Sequence, residues 1–271
     1  MTPRDAAALL RATITAATPL GGGDLSEVMA ITFERSGEPP REAVVKTGPF
    51  PPREARMLDR LRAAGAPAPA VLAVNDALLV MERLPANGSL SRAWASLGHI
   101  LRTLHAAPVP ERLYGWDEEY AFGTLAIANA RGADWAEFWR DRRILCHAPF
   151  LPTDLARRLD RLAATLPARL PAAPRPSLLH GDLWSGNVLV AQERISGLID
   201  PACCIGHHEA DFAILTLFSR PPPAFWTAYG PLEPGWQERL ALYRLWPALV
   251  HLRLFGASYR PLVEDCLENL I

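Results

Sequence analysis

Lysine is almost missing from this chain. Of its 28 basic residues all but one are arginine, and the exception is Lys46. Where arginine serves for every other cation, a retained lysine marks a place that wants a compact ammonium rather than a planar fork. Cysteine is scarce as well. Four thiols (Cys146, Cys203, Cys204, Cys266) in 271 residues do not make a disulfide framework. No apolar run reaches the length of a membrane span. Arg4, Asp5 and Arg11 break up the opening residues, so no secretory leader is expected there. The formal charge of −1 and a pI near 6.7 leave no basic footprint for nucleic acid or an anionic membrane. Nothing matches G-x-x-x-x-G-K-[ST], which excludes the P-loop enzymes. These absences lead to the expectation of a soluble cytoplasmic protein with no nucleic-acid or membrane partner.

What is present falls into two halves. Residues 3 to 12 read as a helix with Pro3 in its first turn. The triplet Gly21, Gly22, Gly23 then turns into a strand in which Met29, Ile31 and Phe33 share a face. "AVVK" is a short strand ending at Lys46, and a helix over residues 53 to 64 stops at Gly65. "AVLAV" and "ALLVM" form a hairpin across Asn75-Asp76, and "ERLPANGS" reads as a connector. Beyond it the spacing is mainly helical, over residues 91–105, 133–147, 153–166 and 236–255. The expected architecture is α+β and bilobal: a small β-rich lobe over 1–84, a larger helical lobe over 85–271, and a ligand cleft between them.

The polar residues in this frame point to phosphoryl transfer. Glycines without side chains let backbone N–H groups approach phosphates closely. Lys46, at the end of its strand, can reach those phosphates, and Glu54 on the next helix can hold the ammonium. "LLHGDLWSGNVLV" (residues 178–190) reads as strand, tight loop, strand, with Asp182 and Asn187 on the loop. Asp182 would take the proton of an attacking hydroxyl. Asn187, together with Asp200 at the end of the hairpin that follows, would hold Mg²⁺. The order matches a kinase catalytic loop, H-x-D-x-x-x-x-N, followed by a metal-binding Asp.

"LLHGDLWSGNVLV" together with "LIDPACCIGHHEADFAI" resembles the fructosamine kinase (ketosamine kinase) family of the protein-kinase-like fold. "VVKT", "EARMLDRL", "LLVMERL" and "LGHILRTLH" agree with it, so the resemblance spans the chain. It implies Asp182 as base, Asn187 and Asp200 as metal ligands, and Lys46 with Glu54 as the pair that positions the phosphates. Met81, Glu82 and Leu84 would receive adenine. His180 would orient the loop and Asp211 would brace it. The implied cofactors are ATP and Mg²⁺. The implied reaction phosphorylates the 3-hydroxyl of a ketosamine, a small molecule or a glycated amine or protein, leading to deglycation. Trp184 would shape the acceptor pocket, with His207 and Glu209 touching the acceptor. The loop "PACCIGHHE" departs from the family at Ile205 and His208, which puts acceptor choice in question, and Asp24 replaces a cysteine found in some relatives.

Other readings remain beside this one. The Trp184-Ser185 pair weighs against an aminoglycoside-like or other small-alcohol kinase. A nucleotide-binding pseudokinase would normally have lost the base, the lysine or a metal ligand, and none is missing. Cys203, Cys204, His207 and His208 lack zinc-ligand spacing. "WDEEY" (116–120) reads as a solvated acidic face, and the tryptophans at 135, 139, 226, 236 and 246 read as packing residues.

Overall fold

The computed structural model describes residues 2–21, 26–110 and 112–270. Gly22 and Gly23 lie outside the described residues. The first helix, α1 (Pro3–Leu10), starts where a chain should start one. Thr2 Oγ1 accepts from the Asp5 amide while the Asp5 carboxylate accepts from the Thr2 amide, and Pro3 needs no partner for a missing N–H. Five strands follow: β1 (Thr13–Pro19), β2 (Val28–Glu34), β3 (Arg41–Lys46), β4 (Val71–Val74) and β5 (Leu79–Glu82). They form one antiparallel sheet in the order β1-β2-β3-β5-β4, with α2 (Pro51–Ala63) inserted after β3. Strand β1 was not legible in the sequence. It is an exposed edge strand, so it shows no alternation of buried and open positions.

The two faces of the sheet belong to different cores. Ile31, Phe33, Ala43, Val45 and Val80 pack under Ala6 and Leu10 of α1. Leu79 and Met81 of β5 join Ala55, Met57, Leu58 and Leu61 of α2 in a larger core that continues through the C-terminal helices. Each buried Leu, Ile, Val, Phe or Met among them contributes on the order of 1.5–3 kcal/mol of transfer free energy. The register sets Lys46 opposite Val28 on one side and Leu79 on the other, and Val44 opposite Met81. Period-two alternation then puts Val44 and Lys46 on one face of β3.

After β5 the chain crosses to α3 (Leu90–Ala106), whose N-terminus is capped by Ser89. A short hairpin, β6 (Tyr120–Phe122) and β7 (Leu125–Ile127), follows the acidic residues and was not foreseen, because three-residue strands carry almost no pattern. The expected helix over 133–147 is regular only in α4 (Trp135–Trp139). A wide π turn (Arg140–Ile144) and a 3₁₀ turn (Leu145–Phe150) continue it. The π turn carries Arg143, which is buried and donates to Asn129 Oδ1 at 2.9 Å, with its guanidinium over the rings of Phe138 and Trp246. Next come α5 (Thr153–Ala163), α6 (Leu166–Arg169) and β8 (Ser177–Leu179). Strands β9 (Val188–Ala191) and β10 (Arg194–Leu198) pair as a hairpin, and β11 (Cys204–Gly206) returns to pair with β8. Helices α7 (Asp211–Phe218), α8 (Pro223–Tyr229), α9 (Trp236–Phe255) and α10 (Arg260–Glu268) complete the larger part. Among the described residues no helix is long and apolar enough to cross a membrane.

Trp135 and Trp139 are buried as expected, and the Trp135 indole N–H donates to Tyr243 Oη at 2.8 Å. Trp246 instead reaches the cleft. Several histidines are also walled in. Burial pushes His147 down to about 3, His207 to about 2 and His208 to about 4, with neighbouring cationic groups adding to the effect. Their folded pKa values lie below the unfolded value, so the unfolded chain binds more protons at mildly acidic pH. Stability is therefore lost as pH falls below about 6.5, by about 1.4 kcal/mol per pH unit for each such ring. The melting temperature is expected to drop by at least about 5 °C between pH 6.5 and 5. A flat profile would show that these rings are free to charge in the folded state.

Candidate active site

The loop after β8 is held from behind. His180 and Gly181 both donate their backbone N–H groups to the Asp211 carboxylate at 2.8 Å. His105 Nε2 meets the same carboxylate at 3.0 Å, and its Nδ1 meets Tyr229 Oη at 3.0 Å. Burial alone would raise the Asp211 carboxyl, but the bond and charge of His105 and the Gly181 amide outweigh it and hold the carboxyl low. Gly181 has φ +81°, and a Cβ there would lie 1.9 Å from the Ala202 carbonyl oxygen, so no other residue fits. His180 is pushed below the usual imidazole range by burial. Its Nε2–H donates to Ile199 O at 3.0 Å while Nδ1 accepts from the Asp182 amide at 3.3 Å.

The loop is thereby aimed into a cleft. Asn187, on a 3₁₀ turn (Ser185–Asn187), donates its amide to Asp182 Oδ2 at 3.0 Å and to Asp182 O at 2.8 Å. Burial, reinforced by the charge of Asp200, pushes the Asp182 carboxyl up to about 7, against the pull of Asn187 and Lys46. Across the cleft, Lys46 Nζ lies 2.8 Å from both Glu54 Oε1 and Asp200 Oδ1. Burial opposes charge on Lys46, but the two flanking carboxylates reverse this and hold it as an ammonium. Asp200 follows β10 in the left-handed region at φ +56°. Tyr120 Oη stands 3.5 Å from Glu54 Oε2, a contact no sequence pattern announces.

Lys46, Asp182, Asn187 and Asp200 line a cavity of about 950 Å³, with Glu54 buried behind Lys46. Gly21, Met81, Glu82 and Leu84 line one end of it, together with Val28 and Val44. The Glu82 amide already donates to Ala70 O at 2.8 Å. Trp184 is 40% exposed at the catalytic loop, its ring lying so close over Gly186 that a Cβ there would overlap it. The lining also includes Phe122, Phe218, Trp246, His251, Phe255 and Tyr259, of which the sequence reading named only Trp246, and that as a packing residue.

His207 and Glu209 need correction. Neither lines the cleft. The segment "PACCIG" pairs as β11 with β8 beneath the loop, so the residues after it are buried behind the loop rather than in front of it. His207 Nδ1 accepts from Tyr243 Oη at 2.8 Å, and Glu209 is held by both arms of Arg239 at 2.6 and 2.7 Å. Ile205 is buried and the partly buried His208 stacks on Tyr229, and neither lines the cleft. Donor atoms of His207, His208 and Glu209 lie within 4.8 Å of one another, but Glu209 is committed to a guanidinium whose charge opposes a cation.

Residues 7–271 match the family model for fructosamine kinase. A Staphylococcus aureus protein assigned as a ketoamine kinase is 31% identical, over 94% of this chain and 92% of its own. A chloroplastic protein-ribulosamine 3-kinase of Arabidopsis thaliana is 29% identical, over 73% of this chain and 64% of its own. A Thermobifida fusca crystal structure assigned as a fructosamine-3-kinase superposes with a TM-score of 0.86 at 29% identity, covering 98% of this chain and 97% of that one.

Proposed function

The chain belongs to the fructosamine kinase family, and on that premise we propose that it transfers the γ-phosphoryl group of ATP to the 3-hydroxyl of a ketosamine. One observation carries the reading. Lys46 bridges Glu54 and Asp200 at 2.8 Å each, beside a loop that holds Asp182 and Asn187 together at 3.0 Å. That grouping supports the reading of a phosphotransferase's pair-and-metal arrangement.

Residues 1–84 would hold the nucleotide, with Val28, Val44 and Met81 against the base and the Lys46 ammonium on the phosphates. Residues 85–271 would supply the base and the acceptor wall. The residues present fit a hard divalent cation. The Asn187 amide nitrogen is committed to Asp182, leaving its Oδ1 as the free oxygen, and Asp200 keeps a carboxylate oxygen beyond the one bonded to Lys46. Magnesium, when bound there, would neutralise charge on the phosphates.

Asp182 is placed to receive a proton, and its carboxyl at about 7 accepts and releases one near neutrality. As the acceptor oxygen bonds to the γ-phosphorus, the β–γ bridging P–O bond breaks. The hydroxyl proton passes to Asp182 and ADP departs with the bridging oxygen. Asn187 fixes the carboxylate that does this, and Asp211 fixes the loop. The phosphorylated ketosamine is unstable and its loss frees the amine, so the outcome is deglycation.

The test is ADP release with Mg-ATP and ketosamines of ribulose, erythrulose and fructose, with one aminoglycoside as a control acceptor. Turnover confined to ketosamines is expected. A response to the aminoglycoside alone would keep the phosphotransferase and discard the ketosamine. Nucleotide binding without turnover on any acceptor would leave a pseudokinase.

A further inference from the structure

The end of the cleft beyond Asp182 has a consistent chemistry. Helices α7 and α9 and the turn before α10 contribute Phe218, Trp246, His251, Phe255 and Tyr259, and the β6–β7 hairpin contributes Phe122. The rings fall into two contact groups on the cavity lining, one around His251 and one of Phe122 with Trp246. His251 lies 4.8 Å from Phe218, 5.5 Å from Phe255 and 5.1 Å from Tyr259 by centroids, and Phe122 lies 6.2 Å from Trp246. His251 Nδ1–H donates to Pro247 O at 2.8 Å, which fixes the ring and leaves Nε2 as its acceptor. Phe218 and Phe255 stand 42% and 38% exposed at the rim, apolar surface left in water until something covers it.

The charges lie elsewhere. Among the described residues lining the cavity the cations are Lys46 and Arg83, and the acids are Glu82, Asp182 and Asp200. All of these belong to the nucleotide end or to the catalytic groups. Arg83 is moreover paired with Glu42 at 2.9 Å. The aromatic end thus offers no cationic partner for a carboxylate and few partners for peptide groups, which lose hydrogen bonds when pressed against rings. A secondary ammonium is accommodated without an acid, since ring faces attract cations.

We propose that this wall receives the amine half of the acceptor and selects free ketosamines of small aromatic or branched apolar amines over those of amino acids or peptide-borne lysine. The sugar hydroxyl then lies at Asp182 while the amine substituent covers the exposed rings of Phe218 and Phe255. The inference rests on the ketosamine reading above and adds the class of amine to it.

The experiment compares kcat/KM for four ribulose-derived ketosamines, made from benzylamine, methylamine, glycine and the lysine of a blocked tripeptide. The benzylamine adduct is expected to exceed the glycine and tripeptide adducts by about tenfold or more, mostly through KM, because burying a ring is worth that much in an apolar pocket. Phe218→Ser combined with Phe255→Ser alters two exposed positions, and its melting temperature checks the fold. It should cost the benzylamine adduct about tenfold more than the methylamine adduct, and Phe255→Leu should keep most of the preference. Equal turnover of all four, a preference for the tripeptide, or a wall variant that leaves the ratio unchanged would overturn the proposal while the ketosamine kinase stands. Silence on all four with turnover of another alcohol would remove both.

Discussion

Asp182→Asn should lose acceptor-dependent ADP release by about 10²–10⁴-fold in kcat and still bind ATP. The replacement keeps size and shape. Asn187 can still donate to a side-chain oxygen at position 182 and to the backbone carbonyl, as it now does at 3.0 and 2.8 Å. What disappears is the carboxylate that we propose as the proton acceptor. The structure adds a second readout. Burial and the nearby Asp200 charge raise the folded-state pKa of Asp182 to about 7, so its ionised form is disfavoured in the fold. A carboxyl raised above its unfolded value weakens the fold as pH climbs from about 4 through 7. The neutral variant escapes this, and its melting temperature at pH 8 should equal or exceed that of the parent. Loss of turnover with a stable fold marks a base. Normal turnover would refute the mechanism, and loss of both would mean the loop had collapsed.

Lys46→Met should be as damaging to catalysis, by about 10²–10³-fold, for a different reason. It removes the ammonium that we propose meets the phosphates, and it also strands Glu54 and Asp200 in a confined site. Breaking a buried pair by deleting one partner costs about 3–5 kcal/mol, because the other charge is left without compensation. The variant should therefore melt early. Adding Glu54→Gln should recover much of the melting temperature and none of the activity, which separates the structural part of the ammonium from the chemical part. Lys46→Arg should not rescue turnover. The ammonium sits 2.8 Å from both oxygens, a gap that suits one nitrogen and not a planar fork. In a chain where arginine fills nearly every basic position, that fit gives a reason for the exception. If Lys46→Arg were fully active, the single lysine would have no chemical meaning.

The catalytic loop was legible because its chemistry depends on residue types at short, fixed spacing. Asp182 and Asn187 lie five residues apart, and the hairpin between them and Asp200 is readable as two apolar runs. Lys46 and Glu54 were legible for the same reason, one ending a strand and the other opening a helix. The acceptor end was not. Phe122, Phe218, Trp246 and Tyr259 come from separate elements, and aromatics at helical spacing look the same whether they face a core or a cleft. His207 and Glu209 were misplaced because a polar triplet after an apolar run reads as an exposed loop. Their partners, Tyr243 and Arg239, lie 30 or more residues away and turn the triplet inward. Strands β1, β6 and β7 escaped since an edge strand and a three-residue hairpin bury too little to leave a period.

The larger core described above runs from α2 and the inner face of the sheet into the C-terminal helices, so Leu58 and Leu61 share one interior with Leu97, Leu198 and Leu245. The connector after β5 therefore marks a change of architecture and not a seam. Cutting the chain there would leave each fragment with a raw apolar wound, and neither would keep its shape alone. The same continuity joins the three charged groups that meet at Lys46 to one mechanical body. Lys46 rides on the sheet, Glu54 on the shared interior and Asp200 on the helical side, so the site is assembled by the act of folding itself.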